Sequence, residues 1–447
     1  MRVNWIAAAL LAGCVPSRST VFDPVGREVQ QRTGLGVAWS EPSRTTAAID
    51  ILLARPLELD AAVRIALARN RRLQARFDEL GIAASQVADA TVLPPLTVDA
   101  DYKRASSGSG SEVEVTVVQD VLDLLQIGQR RGVANAELHG AQVRAIAATV
   151  ALVADVEMAF YDLISAQQQL ELVQTAFDTA SASAELVERQ HDASNTSDLA
   201  LAREQEQRER ARIEIGRATQ VITERRAKLA AFLGVEQAQA WTAIGHLPDL
   251  PAMLPKLDDL GEVATRANLD LEALRADLDA ANARHSYAMV RAFVPELGAG
   301  VAIARRDNGG WEAGPAIRIG IPLFNQQQGP RARAIAEQHR VTNELAATRT
   351  ELVESALTTR ARIEQTFAEA RQLADVVIPL RKRVLDQTVL QYNAMNASTF
   401  ELLLARRDLV DVGRQYIEAL RSYWSAIAEA KALRRGGRAM LTKDQLR

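Results

Sequence analysis

From Leu152 to Val187 the chain reads LVADVEMAFYDLISAQQQLELVQTAFDTASASAELV. Apolar or small residues fall at Leu152, Val156, Ala159, Leu163, Ala166, Leu170, Val173, Phe177, Ala180, Ala184 and Val187, with spacings that alternate four and three without a break. A sustained 3.5-residue period marks a coiled-coil seam, and the many Ala residues in it let helices approach closely. At an offset of 200 the register returns at Leu352, Ala356, Thr359, Ile363, Thr366, Ala370, Leu373, Val377, Leu380 and Val384. Two unrelated helices would not share it. The helices carrying these seams are expected from about Arg131 to Ala193 and from about Arg331 to Asn393. At 1.5 Å per residue each reaches on the order of 95 Å, more than a globular domain contains. Pro379, inside the second seam, predicts a bend there, because its missing donor and its ring disturb the preceding turn.

Outside the seams the chain again matches itself. Leu59-Asp60 through Asn70 and Leu73 align with Leu257-Asp258 through Asn268 and Leu271 at an offset of 198, and Gln190–Asn195 align with Gln391–Asn396 at an offset of 201. The organisation expected is therefore an internal two-fold repeat, residues 56–234 and 257–434, joined by a linker at 235–256 that carries Pro248, Pro251 and Pro255 and folds over the outside of the helices. Polar breaks at Asp192–Ser197 and Asn393–Ser398 suit turns and new helix N-caps. Return helices follow from Asp198 to about Phe232 and from Thr399 to about Arg434, the second with Leu403, Val410, Ile417 and Trp424 spaced by sevens.

Between the shorter leading helices and the long ones the period changes to two. Leu96, Val98, Ala100 and Tyr102 alternate with polar residues, as do Val113, Val115 and Val117; Leu297, Ala299, Val301 and Ile303, then Ile317, Ile319 and Ile321, repeat the pattern on either side of Asp307-Asn308-Gly309-Gly310. Alternation of this kind reads as two β-hairpins, about 96–119 and 297–321. Nine or ten residues is the length a tilted strand needs to cross a bilayer, with one face apolar and the other looking into water. In hydrocarbon each unpaired backbone group costs several kcal/mol, so spanning strands must close into a barrel, and the smallest barrels have about eight. One chain offers four. Several copies must then share one barrel: two would give a filled interior, three an open bore.

Composition narrows the function classes. The 447 residues are 48% apolar and only 4% aromatic, with 53 basic against 56 acidic residues and a single Cys. Such a balance suits long helices with charged outer faces, gives no general electrostatic reason to bind nucleic acid, and permits no internal disulfide. No phosphate-binding loop, dinucleotide fingerprint or nucleophile triad is present, so no enzymatic activity is expected. The five histidines, at 139, 191, 246, 285 and 339, stand apart without a metal-binding pattern, and no metal site or other cofactor is expected. Arg203–Arg212, dense in both signs, reads as a solvated helix face, with adaptor docking near the adjacent tip as the alternative.

The N-terminus suggests how the chain reaches a membrane. Arg2, the apolar stretch Val3–Ala12 and Leu11-Ala12-Gly13-Cys14 resemble a bacterial lipoprotein signal, residues 1–13, ending at a lipobox. The resemblance implies that Cys14 is the lipid attachment site, acylated as the first residue of the mature protein, and Val15 after it favours the outer membrane. Residues 14–55 are expected to form an extended leader and residues 435–447 a tail.

Taken with the two halves of helix, hairpin, long helix and return helix, and the Ile321-Pro322-Leu323-Phe324 run, this lipobox gives a chain that resembles the TolC-like outer-membrane efflux family from about Leu57 to Arg434. The resemblance implies a mainly α fold with a small β part: a homotrimer whose shared twelve-stranded transmembrane β-barrel sits in outer-membrane lipid and continues into a periplasmic α-barrel of long antiparallel helices. It further implies a passive conduit docking onto a periplasmic adaptor and an inner-membrane pump. The family's tip motif has Gly where this chain has Met395, and Ser194 replaces Gly in the other half, so Ser194, Asn195, Met395 and Asn396 mark the expected tip turns. Glu401 falls where the family often has an acid at the pore constriction; three copies would form an anionic ring, against the alternative of a solvated helix-surface residue. The competing function class is a lipid-anchored coiled-coil scaffold or adaptor without a pore. A tunnel lined by ordinary polar side chains recognises no cargo, so drugs, metal ions and peptides stay open and the pump selects.

Overall fold

The computed structural model describes residues 16–39, 46–104, 111–236, 241–306, 309–324 and 326–438. The signal at 1–13, Cys14, the hairpin loop at 105–110, Asp307-Asn308 and the tail beyond 438 lie outside the described residues. The fold is mainly helical with one small antiparallel sheet. The chain divides into two compact units, residues 1–28, 76–146 and 269–350 in the first and 29–75, 147–268 and 351–447 in the second.

In chain order the elements are α1 (Arg18–Thr33), α2 (Thr46–Leu53), α3 (Leu59–Arg69), α4 (Arg71–Thr91), β1 (Thr97–Arg104), β2 (Ser111–Asp120), α5 (Val121–Leu125), α6 (Ile127–Asp192) and α7 (Asp198–Leu233). There follow α8 (Leu260–Ala267), α9 (Leu269–Phe293), β3 (Leu297–Arg306), β4 (Trp311–Ile319), α10 (Gln328–Gln372), a π-helical turn (Leu373–Val377), α11 (Ile378–Asn393) and α12 (Thr399–Arg434).

The leader is not extended. Its three prolines suggested an irregular path, yet α1 runs through Pro24, because Val21, Val25 and Val29 at i, i+4 spacing form a fully buried stripe. Phe22 adds an edge-on contact to Phe77, and Gln142 donates to the Val21 carbonyl at 3.0 Å. Burying such a stripe outweighs the one hydrogen bond that proline removes.

In the second unit the first seam is buried from Leu152 to Val187 apart from the half-buried Leu170 and Phe177. The second seam is buried only as far as Leu373. Beyond it Leu380 and Val384 are 49% and 47% exposed. The π turn at 373–377 is the cause: it inserts about one residue into the helical register, so the inward positions become Ile378, Arg381 and Leu385. It also widens the helix at Asp375, whose carbonyl the Pro379 ring would otherwise strike. The bend expected at Pro379 is thus realised as a π turn just before it.

Two corners of the second unit are built alike. Asn70 ends α3 and starts α4, its Oδ1 accepting from Leu73 N at 2.9 Å while its Nδ2 donates to the Phe232 carbonyl at 2.8 Å. Gly234, with φ of 65°, comes so close to Arg69 that a Cβ would lie 2.7 Å from that carbonyl oxygen. At the other corner Asn268 donates to Gly437 at 3.0 Å, and a Cβ on Gly436 (φ 88°) would lie 2.2 Å from Ala267 O. Arg32 of α1 secures this second corner, donating to Ala267 O and Arg435 O at 2.8 and 3.0 Å.

A buried carboxylate ties the long helix to both return helices: Asp162 of α6, whose side chain is 8% exposed, takes Arg225 and Lys228 of α7 at 3.3 Å and Arg421 of α12 at 2.8 Å. Pairing with Glu418 and Asp162 raises Arg421 further above its already high pKa. The linker lies on these helices through buried Trp241 and Leu247. Trp424 donates to Pro248 O at 2.8 Å, and Arg226 stacks on Trp241 with 4.5 Å to the ring centre.

Candidate functional site

The sheet has strand order β1-β2-β3-β4, all antiparallel. Its register puts Val98, Val117, Val301 and Pro315 in one row and Ala100, Val115, Ile303 and Ala313 in the next, so the apolar alternation of all four strands falls on a single face. That face is uncovered in the chain: Val98, Tyr102, Val301, Trp311, Ile317 and Ile319 are all exposed. An apolar patch of this extent on a soluble surface would be an aggregation liability; in a bilayer it is satisfied. Tyr102 and Trp311 stand toward the hairpin-loop end, where amphipathic rings suit a lipid–water boundary.

The opposite face carries Asp99, Asp101, Glu112, Glu114, Glu312, Lys103 and Arg318 among small residues, and it is concave. Arg318 of β4 pairs with Asp99 of β1 at 2.6 Å, and also with Glu296 at 3.5 Å. In a flat sheet their Cα atoms would lie about 19 Å apart, three strand spacings across and four residues along. Two side chains cannot span that, so the sheet curls over its polar face. Glycine makes the curl possible: a Cβ at Gly300 would fall 1.8 Å from Val117 O, and one at Gly298 2.6 Å from Val118 Cγ1.

In the second unit the two helical breaks are near-identical turns. Ser194 and Met395 both sit in the left-handed region with φ of 62°. Asn195 N donates to Gln190 O and Asn396 N to Gln391 O, each at 2.8 Å, bonds that close a Schellman-type helix end. Ser194 and Met395 stand where the family that the sequence resembles has Gly, and they hold this left-handed backbone at a steric penalty. After the first turn Ser197 caps α7, and His191 lies 2.6 Å from Asp198. After the second, Ser398 and Glu401 form a capping box: Ser398 N donates to Glu401 Oε2 at 2.7 Å, and Glu401 N to Ser398 Oγ at 3.3 Å. These bonds from Ser398 hold the Glu401 carboxyl below its ordinary pKa. Glu401 thus has a local structural task and stays charged while performing it.

A family model described as outer membrane efflux protein matches residues 62–235. The chain is 25% identical over 415 residues to the cobalt-zinc-cadmium resistance protein CzcC of Cupriavidus metallidurans, covering 88% of this chain and 96% of that one. Its fold matches the outer membrane protein VceC of Vibrio cholerae with a TM-score of 0.69 at 16% identity, over 85% of this chain and 96% of that one. It also matches the open state of the MtrE outer membrane channel of Neisseria gonorrhoeae, with a TM-score of 0.66 at 20% identity over 86% and 91%. Homologues of the chain are outer-membrane efflux channels of tripartite efflux systems.

Among the described residues, no three potential metal ligands gather. His139 faces Glu272 at 3.8 Å and His246 bonds Gln168 at 2.9 Å, both at the surface. The charged run on α7 pairs within its own helix, Arg210 with Glu206 and Arg212 with Glu209. Glu204, in the same run, is buried and accepts from Ser183 Oγ at 3.0 Å, a departure that the alternating signs concealed. The sequence reading also missed the Asp99–Arg318 pair and the need for Gly300. The small residues alternating through β3 were the one available signal of the latter.

Proposed function

We propose that the chain is an efflux protein of which three copies share one twelve-stranded barrel and one helical tunnel, forming a passive homotrimeric conduit through the outer membrane onto which a periplasmic adaptor and an inner-membrane pump dock. The observation that carries this reading is the curled four-stranded sheet, with an exposed apolar outer face and a charged inner one. The outer edges of β1 and β4 have no partner strand among the described residues, and in hydrocarbon those edges require other copies. The outward stripe formed by Val376 of the π turn and Leu380 and Val384 of α11 supplies apolar surface for the same assembly in the tunnel. The likeness of the two corners at Asn70 and Asn268 supports an ancestral duplication of residues 56–234 and 257–434.

Acylated Cys14 anchors each copy in this reading. The turns at Ser194-Asn195 and Met395-Asn396 form the periplasmic tips, and Glu401 supplies an anionic ring at the constriction. CzcC is a cobalt-zinc-cadmium resistance protein; in the present chain the acidic excess on the inner face of the strands suits cationic cargo. Outer-membrane fractionation followed by unboiled gel migration tests the assembly, which should run as a heat-labile band at three times the monomer mass. A soluble or inner-membrane monomer would refute it. For the ring, Glu401→Gln retains an acceptor for the Ser398 amide and removes the charge. Cation selectivity in planar bilayers should fall in this variant, and unchanged selectivity would remove Glu401 from the pore.

A further inference from the structure

The second unit contains a groove that the conduit reading does not use. It lies among α6, α7, α11 and α12 and has a volume of about 650 Å³. Its floor is apolar, formed by Val173, Ala180, Leu385, Leu403 and Val410, and its rim is cationic, with Arg210, Arg217, Arg406, Arg407 and Arg414. Two carboxylates share the lining, and both are engaged. Glu214 meets Arg217 at 2.8 Å and Arg414 at 3.6 Å, and Asp411 meets Arg407 at 3.7 Å. Arg210 turns to Glu206 outside the groove. Arg406 is exposed and makes no ion pair or hydrogen bond among the described residues.

The volume decides what kind of occupant fits. Pockets for small molecules run to roughly 300–1,000 Å³. An apolar floor beneath an uncompensated cation selects an amphiphile with a negative head. We propose that this groove binds a small anionic amphiphile, its hydrocarbon body on the Val173–Leu385–Val410 floor and its carboxylate on Arg406. An occupant touching α7 and α12 together stabilises whichever arrangement of the return helices keeps the groove formed. The proposal is independent of the conduit reading.

The test uses the full chain reconstituted in lipid nanodiscs, titrated with 11-(dansylamino)undecanoic acid and read by dansyl fluorescence against empty nanodiscs. Saturable binding is expected, competed by decanoate and weakened about tenfold by Arg406→Gln, the loss of one charge-assisted contact. The methyl ester of the probe should bind at least about tenfold more weakly for the same reason. Ala211→Trp, which places a ring in the groove, should abolish binding. A signal no greater than that of empty nanodiscs overturns the proposal, as does saturable binding indifferent to Arg406→Gln and to esterification. Those last two readouts decide the matter even if Ala211→Trp fails to fold.

Discussion

Val115 and Thr116 are neighbours at the middle of β2, and they should respond to the same substitution in opposite ways. Val115 stands on the apolar face between Ala100 and Ile303, and Thr116 on the polar face between Asp99 and Ala302. An Arg on the lipid face of a membrane barrel costs about 2–4 kcal/mol near the bilayer midplane. In the proposed trimer the substitution is repeated in three copies, so the penalty for Val115→Arg is about 6–12 kcal/mol per assembly, enough to abolish a marginally stable barrel. Thr116→Arg instead points into the concave interior beside Asp99, where its charge is hydrated and attracted, and its effect should stay within about 1 kcal/mol per copy. The assay is the fraction of outer-membrane protein that migrates as an oligomer without boiling, followed over a urea series. Val115→Arg should lose the oligomer and Thr116→Arg should retain it. Equal behaviour of the two variants, or the reverse order, would refute the assignment of the faces and with it the membrane-spanning sheet.

Three other perturbations test separate parts of the structure. Met395→Gly and Ser194→Gly remove left-handed strain worth about 1–2 kcal/mol, partly offset by glycine's extra chain entropy; each should slow amide exchange at its tip turn, and faster exchange would contradict the φ of 62° at both residues. Gly300→Ala puts a methyl 1.8 Å from Val117 O and should prevent β2–β3 pairing, giving no heat-labile oligomer, whereas Gly314→Ala, where a Cβ meets open space, should be tolerated. Glu429 is buried on α12 and accepts from Thr359 at 3.0 Å and Arg362 at 2.8 Å, yet burial outweighs both and raises its pKa above the ordinary 4.5. Between the unfolded and folded pKa values the native chain holds the extra proton, so this group's stabilising contribution is full below about pH 4.5 and is lost as pH rises through the folded value. The stability of the wild type relative to Glu429→Gln should therefore decline as pH rises from about 4.5 in thermal or urea unfolding, and a pH-independent difference would show that burial does not dominate.

Period was legible in the sequence and curvature was not. The change from 3.5 to two residues located both hairpins to within a residue or two, because a strand whose faces meet different solvents must alternate. The return helices were equally plain, since Ser197 and Ser398 open them and polar breaks precede both. Nothing in a linear pattern, however, says that Asp99 and Arg318, on the two outermost strands, come within 2.6 Å; that depends on the curl of the whole sheet. The leader failed for a related reason. Its prolines are local signals and were given full weight, whereas the Val21–Val25–Val29 stripe gains its energy from a surface supplied by distant parts of the chain. Glu401 was read as a candidate pore residue, and its capping role was implicit in the Ser398-Thr399-Phe400-Glu401 spacing.

The second seam shows why a residue pattern can be right and still point the wrong way. Its four-three spacing continues to Val384, and on an uninterrupted α-helix those positions would face inward. One π turn, placed where Pro379 would clash with the carbonyl of Asp375, rotates everything after it by about one residue, or roughly 100°. Leu380 and Val384 then face outward while Arg381 turns inward to pair with Asp408 at 2.7 Å. An apolar stripe retained at coiled-coil spacing but facing away from the chain's own helices is what a surface meant for another helix looks like. The open edges of β1 and β4 pose the same problem in the sheet, where hydrogen-bonding groups rather than side chains lack partners. Both deficits arise in a chain that holds about half the strands of the smallest closed barrel, and copies of the same chain would relieve both at once.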